Sequence, residues 1–266
     1  MISSLGRVVI VLFFAVTSPS LAQPWNTHVV DDAGDMGYST RVVTTSDGTP
    51  YVLYQNINGL VRLGWWVATS DTTGGWEHFV VSGSSGPHGV GLTVDANDLL
   101  HIAYSTFSPA VYYGVFATAS KSWAAPPVVV ASLSGGVDMA LFETTSAQVP
   151  GIACRRSFDR SVHFVTRDSL TLEWSTEIVE TVLIGNGVPS IAVDSQGRFH
   201  AVFDESAGAN LMYATRVGEL WTKQYVAVNG SVGSYNAIVV DESDNIHVVY
   251  YDASNQDLWY ATPTAP

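Results

Sequence analysis

Positive charge and cysteine are both scarce in this chain. Its 266 residues include 11 Lys and Arg against 24 Asp and Glu, which gives a formal net charge of −13 at pH 7. So few cations cannot neutralise many phosphate groups, and nucleic acid is therefore not expected as a partner. The single cysteine excludes an internal disulfide and a Cys-rich zinc site. The sequence shows no other metal or cofactor motif, so we predict neither.

Long apolar runs are also scarce, and the clearest one stands at the N-terminus. Arg7 precedes the apolar run Val8–Val16, and small and polar residues follow up to Ala22. This layout is typical of a secretory signal that is cleaved after Ala22, and the run is too short to span a bilayer. We therefore expect residues 1–22 to be a signal peptide. The mature chain, residues 23–266, is then secreted or periplasmic, with no membrane span.

Helical periodicity is missing, and a repeat of about 50 residues takes its place. One recurring phrase opens with tryptophan, at Trp25, Trp76, Trp123, Trp174 and Trp221. A second phrase begins with Val-Asp, most clearly at Val94, Val193 and Val240, and a third has the form Leu-x-Tyr-Ala-Thr or similar, at Leu211 and Leu258. Short runs of β-branched and aromatic residues, separated by turn residues, predict four strands, A to D, in each unit. That is the content of one propeller blade.

The ends of the repeat predict how the units are joined. The last unit lacks strand D, while the phrase Trp25–Val30 stands alone at the start of the mature chain. We therefore predict an all-β, five-bladed β-propeller with four antiparallel strands per blade, closed by the N-terminal strand, which completes the last blade. The predicted bounds are 23–36 for the closing strand and loop, 37–86, 87–135, 136–186 and 187–233 for blades 1 to 4, and 234–266 for blade 5. An open β-solenoid or a sandwich is the alternative.

The second phrase carries a family resemblance. Its pattern, Val-Asp-x-x-Gly/Asp-x-x-His-x-x-Tyr/Phe in Val193–Phe203, resembles the repeats of exported bacterial β-propeller proteins of the sialidase-like, or BNR-type, group. The resemblance covers nearly all of residues 23–266 and implies an exported propeller. It does not imply sialidase activity, because Gly197 comes one place too late after Asp194 for the Asp-box of that family. Small five-bladed lectins are similar in size and blade number only.

Residues that recur from unit to unit are expected to hold the scaffold together. Three histidines, His101, His200 and His247, each lie six residues after an aspartate, namely Asp95, Asp194 and Asp241. We interpret each pair as a local hydrogen bond between a turn and a strand rather than as part of a shared metal site. The tryptophans are expected to pack between blades, and Cys154 to be a small buried residue.

Polar and aromatic residues that break the repeat form the candidate site. In a propeller the B–C and D–A connections lie on one face, so irregular residues at their ends are expected to surround one mouth of the central channel. These candidates are Tyr38, His88, Asp138, Arg155, Asp204, Glu205, Tyr235 and Tyr251. The alternative is that these loop ends are simply solvated.

Two charged residues break the repeat inside the predicted A strands. Arg41 and Glu143 stand where the other blades have small or apolar residues. The A strands surround the channel, so each charge needs a partner or water there. We expect the two to lie within reach of each other across the channel, either as a hydrated salt bridge or as contacts to a ligand or ion.

The predicted function is binding of a carbohydrate or another extracellular polar ligand at this loop face. The three tyrosines supply aromatic faces, and the charged and polar residues fix the ligand. Two alternatives remain open. One is a glycoside hydrolase or polysaccharide lyase that uses the carboxylates of Asp138, Asp204 and Glu205. The other is a protein-interaction scaffold without a small ligand.

An acidic loop precedes the first blade. Asp31, Asp32 and Asp35 supply the carboxylates that Ca²⁺ prefers, but their spacing is not that of an EF-hand loop. A solvated loop is the simpler interpretation, and a calcium site stays open.

Overall fold

The computed structural model describes residues 27–70, 73–83, 85–144, 148–181, 185, 187–205 and 209–263, with the backbone alone for 85–88. The predicted signal peptide, residues 1–22, lies outside this part of the chain. Within it the chain is all-β, and it contains no helix that is long and apolar enough to span a membrane.

Nineteen strands in the described residues form five antiparallel sheets, one for each blade. Blade 1 contains β1 (Met36–Thr44), β2 (Pro50–Asn56), β3 (Val61–Ala68) and β4 (Gly74–Ser82). Blade 2 contains β5 (Ser85–Val94), β6 (Leu99–Thr106), β7 (Ala110–Ala117) and β8 (Ser122–Ala131). Blade 3 contains β9 (Val137–Glu143), β10 (Gln148–Arg155), β11 (Val162–Arg167) and β12 (Trp174–Glu180). Blade 4 contains β13 (Ser190–Val193), β14 (Phe199–Glu205), β15 (Asn210–Val217) and β16 (Leu220–Ala227), and blade 5 contains β17 (Val232–Val240), β18 (Ile246–Asp252) and β19 (Asp257–Ala261). The predicted five-bladed propeller is confirmed.

The repeated aspartate builds the turn between strands A and B. In blade 4 the carboxylate Oδ1 of Asp194 accepts hydrogen bonds from the backbone N–H groups of Gln196 and Arg198, at 3.0 and 2.8 Å. Asp95 and Asp241 accept the equivalent pairs in blades 2 and 5. Each carboxylate thereby replaces backbone partners that the tight turn leaves out.

Neighbouring blades pack face to face through apolar side chains. The first strands of the blades contact one another in the order β1, β5, β9, β13, β17 around the axis. Their backbones approach so closely that a Cβ on Gly91 would lie 3.0 Å from the backbone nitrogen of Met139. Trp123, Trp174 and Trp221 of the outer strands pack between blades, as predicted, whereas Trp76 contacts Trp66 of its own blade. Trp123 contacts Phe79 of blade 1, and Trp221 contacts Phe164 of blade 3.

The repeated histidines are part of the scaffold. Nε2 of His200 lies 3.1 Å from Asp194 Oδ2, and its Nδ1 lies 2.6 Å from the hydroxyl of Tyr213 on strand C. We call this hydrogen-bonded series an Asp–His–Tyr relay. It occurs also in blade 2, at Asp95, His101 and Tyr113, and in blade 5, at Asp241, His247 and Tyr260. The predicted turn-to-strand bond is confirmed, and the tyrosine is a third member that the prediction missed.

The two buried relays predict a loss of stability on mild acidification. Burial lowers the pKa of His101 and His200, although the neighbouring aspartates act in the opposite direction. The unfolded chain therefore takes up these protons first as the pH falls below about 6.5. Between pH 7 and pH 5 the free energy of unfolding is expected to fall, by at most about 2 kcal/mol per histidine. Urea unfolding of the wild type and of His200→Gln at both pH values measures this, and the variant is expected to show the shallower slope. Parallel pH dependences would contradict the prediction.

The aspartates of the relays act in a separate, lower pH range. Burial raises the pKa of Asp95, but hydrogen bonds from Leu99 N–H, Gln148 and His101 outweigh it and bring that pKa below its ordinary value. The stability that this carboxylate contributes is present above its ordinary pKa, near 4, and is lost only as the pH falls below that value.

The lone cysteine is a scaffold residue. Cys154 lies on β10 with no exposed surface, and burial raises the pKa of its thiol to about 12. The prediction of a small buried residue is confirmed.

The outward face of blade 5 differs from that of the other blades. Tyr260 is 57% exposed, whereas its equivalent in blade 4, Tyr213, is 8% exposed because blade 5 covers it. On the opposite side of this seam Val42 of blade 1 is exposed, although its equivalents Leu92 and Ile191 are buried against the preceding blade. The seam between blades 5 and 1 is therefore less covered than the other four.

The N-terminal segment lies beside this seam. The ring of His28 packs on Trp66 with centroids 4.7 Å apart, and Phe79 packs on Phe116 at the equivalent place between blades 1 and 2. The segment therefore packs on blade 1 in the same way as β4, the outer strand of blade 1, packs on blade 2. Trp25 lies outside the described residues, and the described residues 27–30 are not in a strand. Their pairing with β19 stays a prediction.

Candidate functional site

A pocket of about 610 Å³ opens at one mouth of the central channel. Its walls come from the first residues of the A strands, the loops before them and the end of one B strand, so all five blades contribute. The lining residues are Tyr38, Ser39, Arg41, Gly89, Gly136, Arg155, Gly187, Val188, Pro189, Ser190, Ser234, Tyr235 and Asn236. The pocket lies on the face that the sequence indicated, where the B–C and D–A connections meet. Of the ten predicted site residues it brings together four: Tyr38, Arg41, Arg155 and Tyr235.

Arg41 and Asp138 form an ion pair across the channel. The guanidinium Nε of Arg41, on β1, lies 3.0 Å from Asp138 Oδ1 on β9. The other carboxylate oxygen of Asp138 accepts from the hydroxyl of Ser190 and the backbone N–H of Ile191 in blade 4, at 3.1 and 3.2 Å. Asp138 is buried, and it holds three blades together behind the pocket wall.

The predicted pairing of Arg41 with Glu143 is wrong. The carboxylate of Glu143 accepts from the backbone N–H of Ala96, at 2.9 Å, and from the side chain of Gln148, at 3.3 Å. Ala96 belongs to the A–B turn of blade 2, at the opposite end of the strands from the pocket. Glu143 therefore braces a turn and does not line the mouth.

Arg155 is the last residue of strand β10 and lines the pocket. The negative charge of Asp204, in blade 4, interacts with its guanidinium group. Burial lowers the pKa of the Arg155 guanidinium, while the charge of Asp204 acts in the opposite direction. Burial also raises the pKa of Asp204, against the backbone N–H of Gly187 and the charge of Arg155. Asp204 lies directly behind Gly187, where a Cβ would come within 2.8 Å of its carboxylate. It therefore supports the wall and does not line it.

Two exposed tyrosines flank the mouth. Tyr38 lies near the start of β1, and Tyr235 lies near the start of β17 with its side chain 87% exposed. Tyr235 has a φ of +51°, in the left-handed region that residues other than glycine rarely adopt. Such backbone strain is concentrated at functional sites. Tyr251 is the neighbour of Tyr235, with ring centroids 6.4 Å apart, and is not among the described lining residues.

Glu205 is not among the described lining residues, and the placement of the His88 side chain stays a prediction. Glu205 accepts a hydrogen bond from Asn210 within its own hairpin, at 2.8 Å. His88 lies on β5, but its side chain is outside what the structure describes. The predicted carboxylate set of Asp138, Asp204 and Glu205 is thus engaged with the scaffold.

Several polar positions at the ends of the B strands support loops. Gln55 and Ser105 are fully buried, and the hydroxyl of Ser105 donates to the carbonyl of Gly135 at 2.6 Å. Polar residues that vary from blade to blade, as these do, are predicted from the sequence to face a ligand or solvent at this mouth. For these two residues burial contradicts that expectation.

Four polar lining residues were not among the predicted site residues, namely Ser39, Ser190, Ser234 and Asn236. Ser190 donates to Asp138, and Asn236 donates through its side chain to the carbonyl of Gly233, at 2.8 Å. Ser190 lies on β13 and Asn236 lies on β17, both first strands of their blades. The one available signal was that Ser190 takes the place of Arg41 in the repeat.

The acidic loop before blade 1 is held by hydrogen bonds. Asp31 accepts from Arg62, Tyr54 and the backbone N–H of Ala33, at 2.7, 2.9 and 2.9 Å. Among the residues that the structure describes, no group of three or more His, Cys, Asp or Glu is arranged to hold a metal ion.

Comparison with known proteins identifies structural relatives alone. No protein-family model and no curated protein sequence matches the chain. A variant of the Aleuria aurantia lectin in complex with Fucα1-6GlcNAc has a TM-score of 0.62 and 11% identity, over 86% of this chain and 76% of that chain. The SapL1 lectin in complex with alpha methyl fucoside has a TM-score of 0.59 and 10% identity, over 87% and 82% of the two chains. A Dyadobacter fermentans protein of unknown function has a TM-score of 0.57 and 13% identity, over 87% and 79%. At such identities the likeness establishes that the chain shares the fold of these proteins.

Proposed function

We propose that the protein is a carbohydrate-binding propeller, exported from the cell, that holds one ligand in the pocket at the mouth of its channel. The observation that carries this proposal is the composition of the pocket wall. Exposed tyrosine rings flank a floor of serine, asparagine and arginine side chains. Sugars are bound by aromatic faces that cover their C–H groups and by fixed polar groups that meet their hydroxyls.

Two further observations support binding at this one pocket. The structural relatives include lectins solved with fucose-containing ligands. Among the described lining residues there is no Asp or Glu, whereas glycoside hydrolysis in its usual form needs two carboxyl groups beside the scissile bond. Binding is therefore favoured over hydrolysis at this pocket.

A glycan array tests the proposal. We expect binding to at least one class of glycan, and we expect Tyr235→Ala to weaken it by about tenfold, because the ring loses its stacking contact with the sugar. Tyr225→Ala is the matched control, since Tyr225 is also exposed, at 53%, but lies on the outer strand β16, away from the pocket. An array without hits, or equal losses in both variants, would overturn the proposal.

A further inference from the structure

The charge of the pocket wall is opposite to that of the protein. The chain has 11 Lys and Arg among 266 residues and a net charge of −13. Two of those cations, Arg41 and Arg155, nevertheless line the pocket, and none of the described lining residues is acidic. Guanidinium groups donate more strongly to an anionic group on a sugar than to a neutral hydroxyl, because those hydrogen bonds are charge-assisted and the fork of donors matches a carboxylate.

Arg41 is held in a fixed orientation. Its Nε donates to Asp138 and its Nη1 donates to the carbonyl of Thr40, both at 3.0 Å. Asp138 in turn accepts hydrogen bonds from Ser190 and Ile191 through its second oxygen, so both carboxylate oxygens are bonded within the scaffold. A guanidinium fixed by its inner edge and about one-third exposed presents its remaining N–H donors to the pocket.

Arg155 gains from an anion for a different reason. Burial disfavours its charged form, and Asp204, behind the wall, compensates in part. A carboxylate in the pocket adds a second compensating charge, in a setting where charge-assisted hydrogen bonds are stronger than in water.

We propose that the ligand is an acidic sugar, a uronate, whose carboxylate is bound by Arg41 and Arg155. The inference rests on the proposed carbohydrate-binding function, in which the tyrosines stack on the sugar ring and the serines bind its hydroxyls. The planar carboxylate matches the forked N–H donors of a guanidinium group, and the pocket volume of about 610 Å³ accommodates more than one sugar ring.

Calorimetric titration with charged and neutral forms of the same sugar tests the inference. The probes are trimers of galacturonate, glucuronate and mannuronate, each beside its methyl ester, which keeps the ring and removes the charge. At least one acid is expected to bind, and its ester to bind about tenfold more weakly or worse, since charge-assisted bonds are lost. Arg155→Gln is expected to weaken binding of the acid about tenfold and to change binding of the ester by less than about twofold.

A control of equal charge separates contact from long-range repulsion. Lys223→Gln removes one positive charge from the outer strand β16, where Lys223 pairs with Glu180, and is expected to leave the affinity unchanged. Equal loss in this variant, or equal affinity for acid and ester, would overturn the inference. Arg41→Gln is the second test variant, and melting curves establish that each variant is folded. Hits confined to neutral glycans would overturn the inference and leave the proposed function standing, whereas no binding to any glycan would overturn both.

Discussion

Replacing Asp138 with alanine is expected to lower the free energy of unfolding by roughly 2–3 kcal/mol. The buried carboxylate accepts hydrogen bonds from Arg41 of blade 1 and from Ser190 and Ile191 of blade 4. Its loss leaves one cation and two donors without their acceptor. Breaking a fully buried ion pair costs about 3–5 kcal/mol, and the value is lower here because Arg41 is about one-third exposed.

Asp138→Asn is the matched variant for this prediction. It keeps the volume and an acceptor oxygen, so we expect a smaller loss than for alanine. A double-mutant cycle with Arg41→Ala separates the ion pair from the bonds to blade 4. Urea unfolding measures Asp138→Asn and the four proteins of the cycle, and a loss below about 0.5 kcal/mol for Asp138→Ala would show that the contact across the channel is not stabilising.

Replacing Phe164 with alanine is expected to lower the free energy of unfolding by roughly 3–5 kcal/mol. Phe164 is fully buried and packs against Phe199 and Trp221 of blade 4, with ring centroids 4.9 and 5.2 Å away. It also fills the space above Gly151, where a Cβ would come within 2.8 Å of the ring. Truncation therefore opens a cavity between two blades that neither backbone can close.

The control is an exposed phenylalanine in the same blade. Phe158 lies in the B–C loop and is 91% exposed, so Phe158→Ala is expected to change stability by less than about 0.5 kcal/mol. Thermal and urea unfolding distinguish the two variants. Equal stability of Phe164→Ala and the wild type would mean that blades 3 and 4 are not held by this aromatic cluster.

The fold could be predicted from the sequence because each unit of the repeat corresponds to one blade. Trp76, Trp123, Trp174 and Trp221 each lie on the fourth strand of a blade, where they were placed by their spacing. The Asp–His pairs were predicted because six residues join a turn to the next strand. Tyr213, the third member, lies thirteen residues beyond its histidine on another strand, and pairing register decides that contact.

The site could be predicted in part, and the errors have a physical cause. Variation between blades identified Arg41, Arg155 and Tyr235, which line the pocket. It could not say at which end of a strand a charge acts. Glu143 lies five residues beyond Asp138 on β9, roughly 17 Å along an extended strand, and so reaches the opposite end of the channel. Variation between blades also could not distinguish a residue that lines the pocket from one that lies behind the lining, as Asp204 does.

The bonds of Asp138 have a consequence for recognition. Because one carboxylate spans blades 1, 3 and 4, the width of the channel mouth is fixed in the unliganded protein, and we expect little protein entropy to be lost when the proposed ligand binds. If the proposed function is correct, we expect ligands to be selected by how well their own shape already matches this rigid pocket.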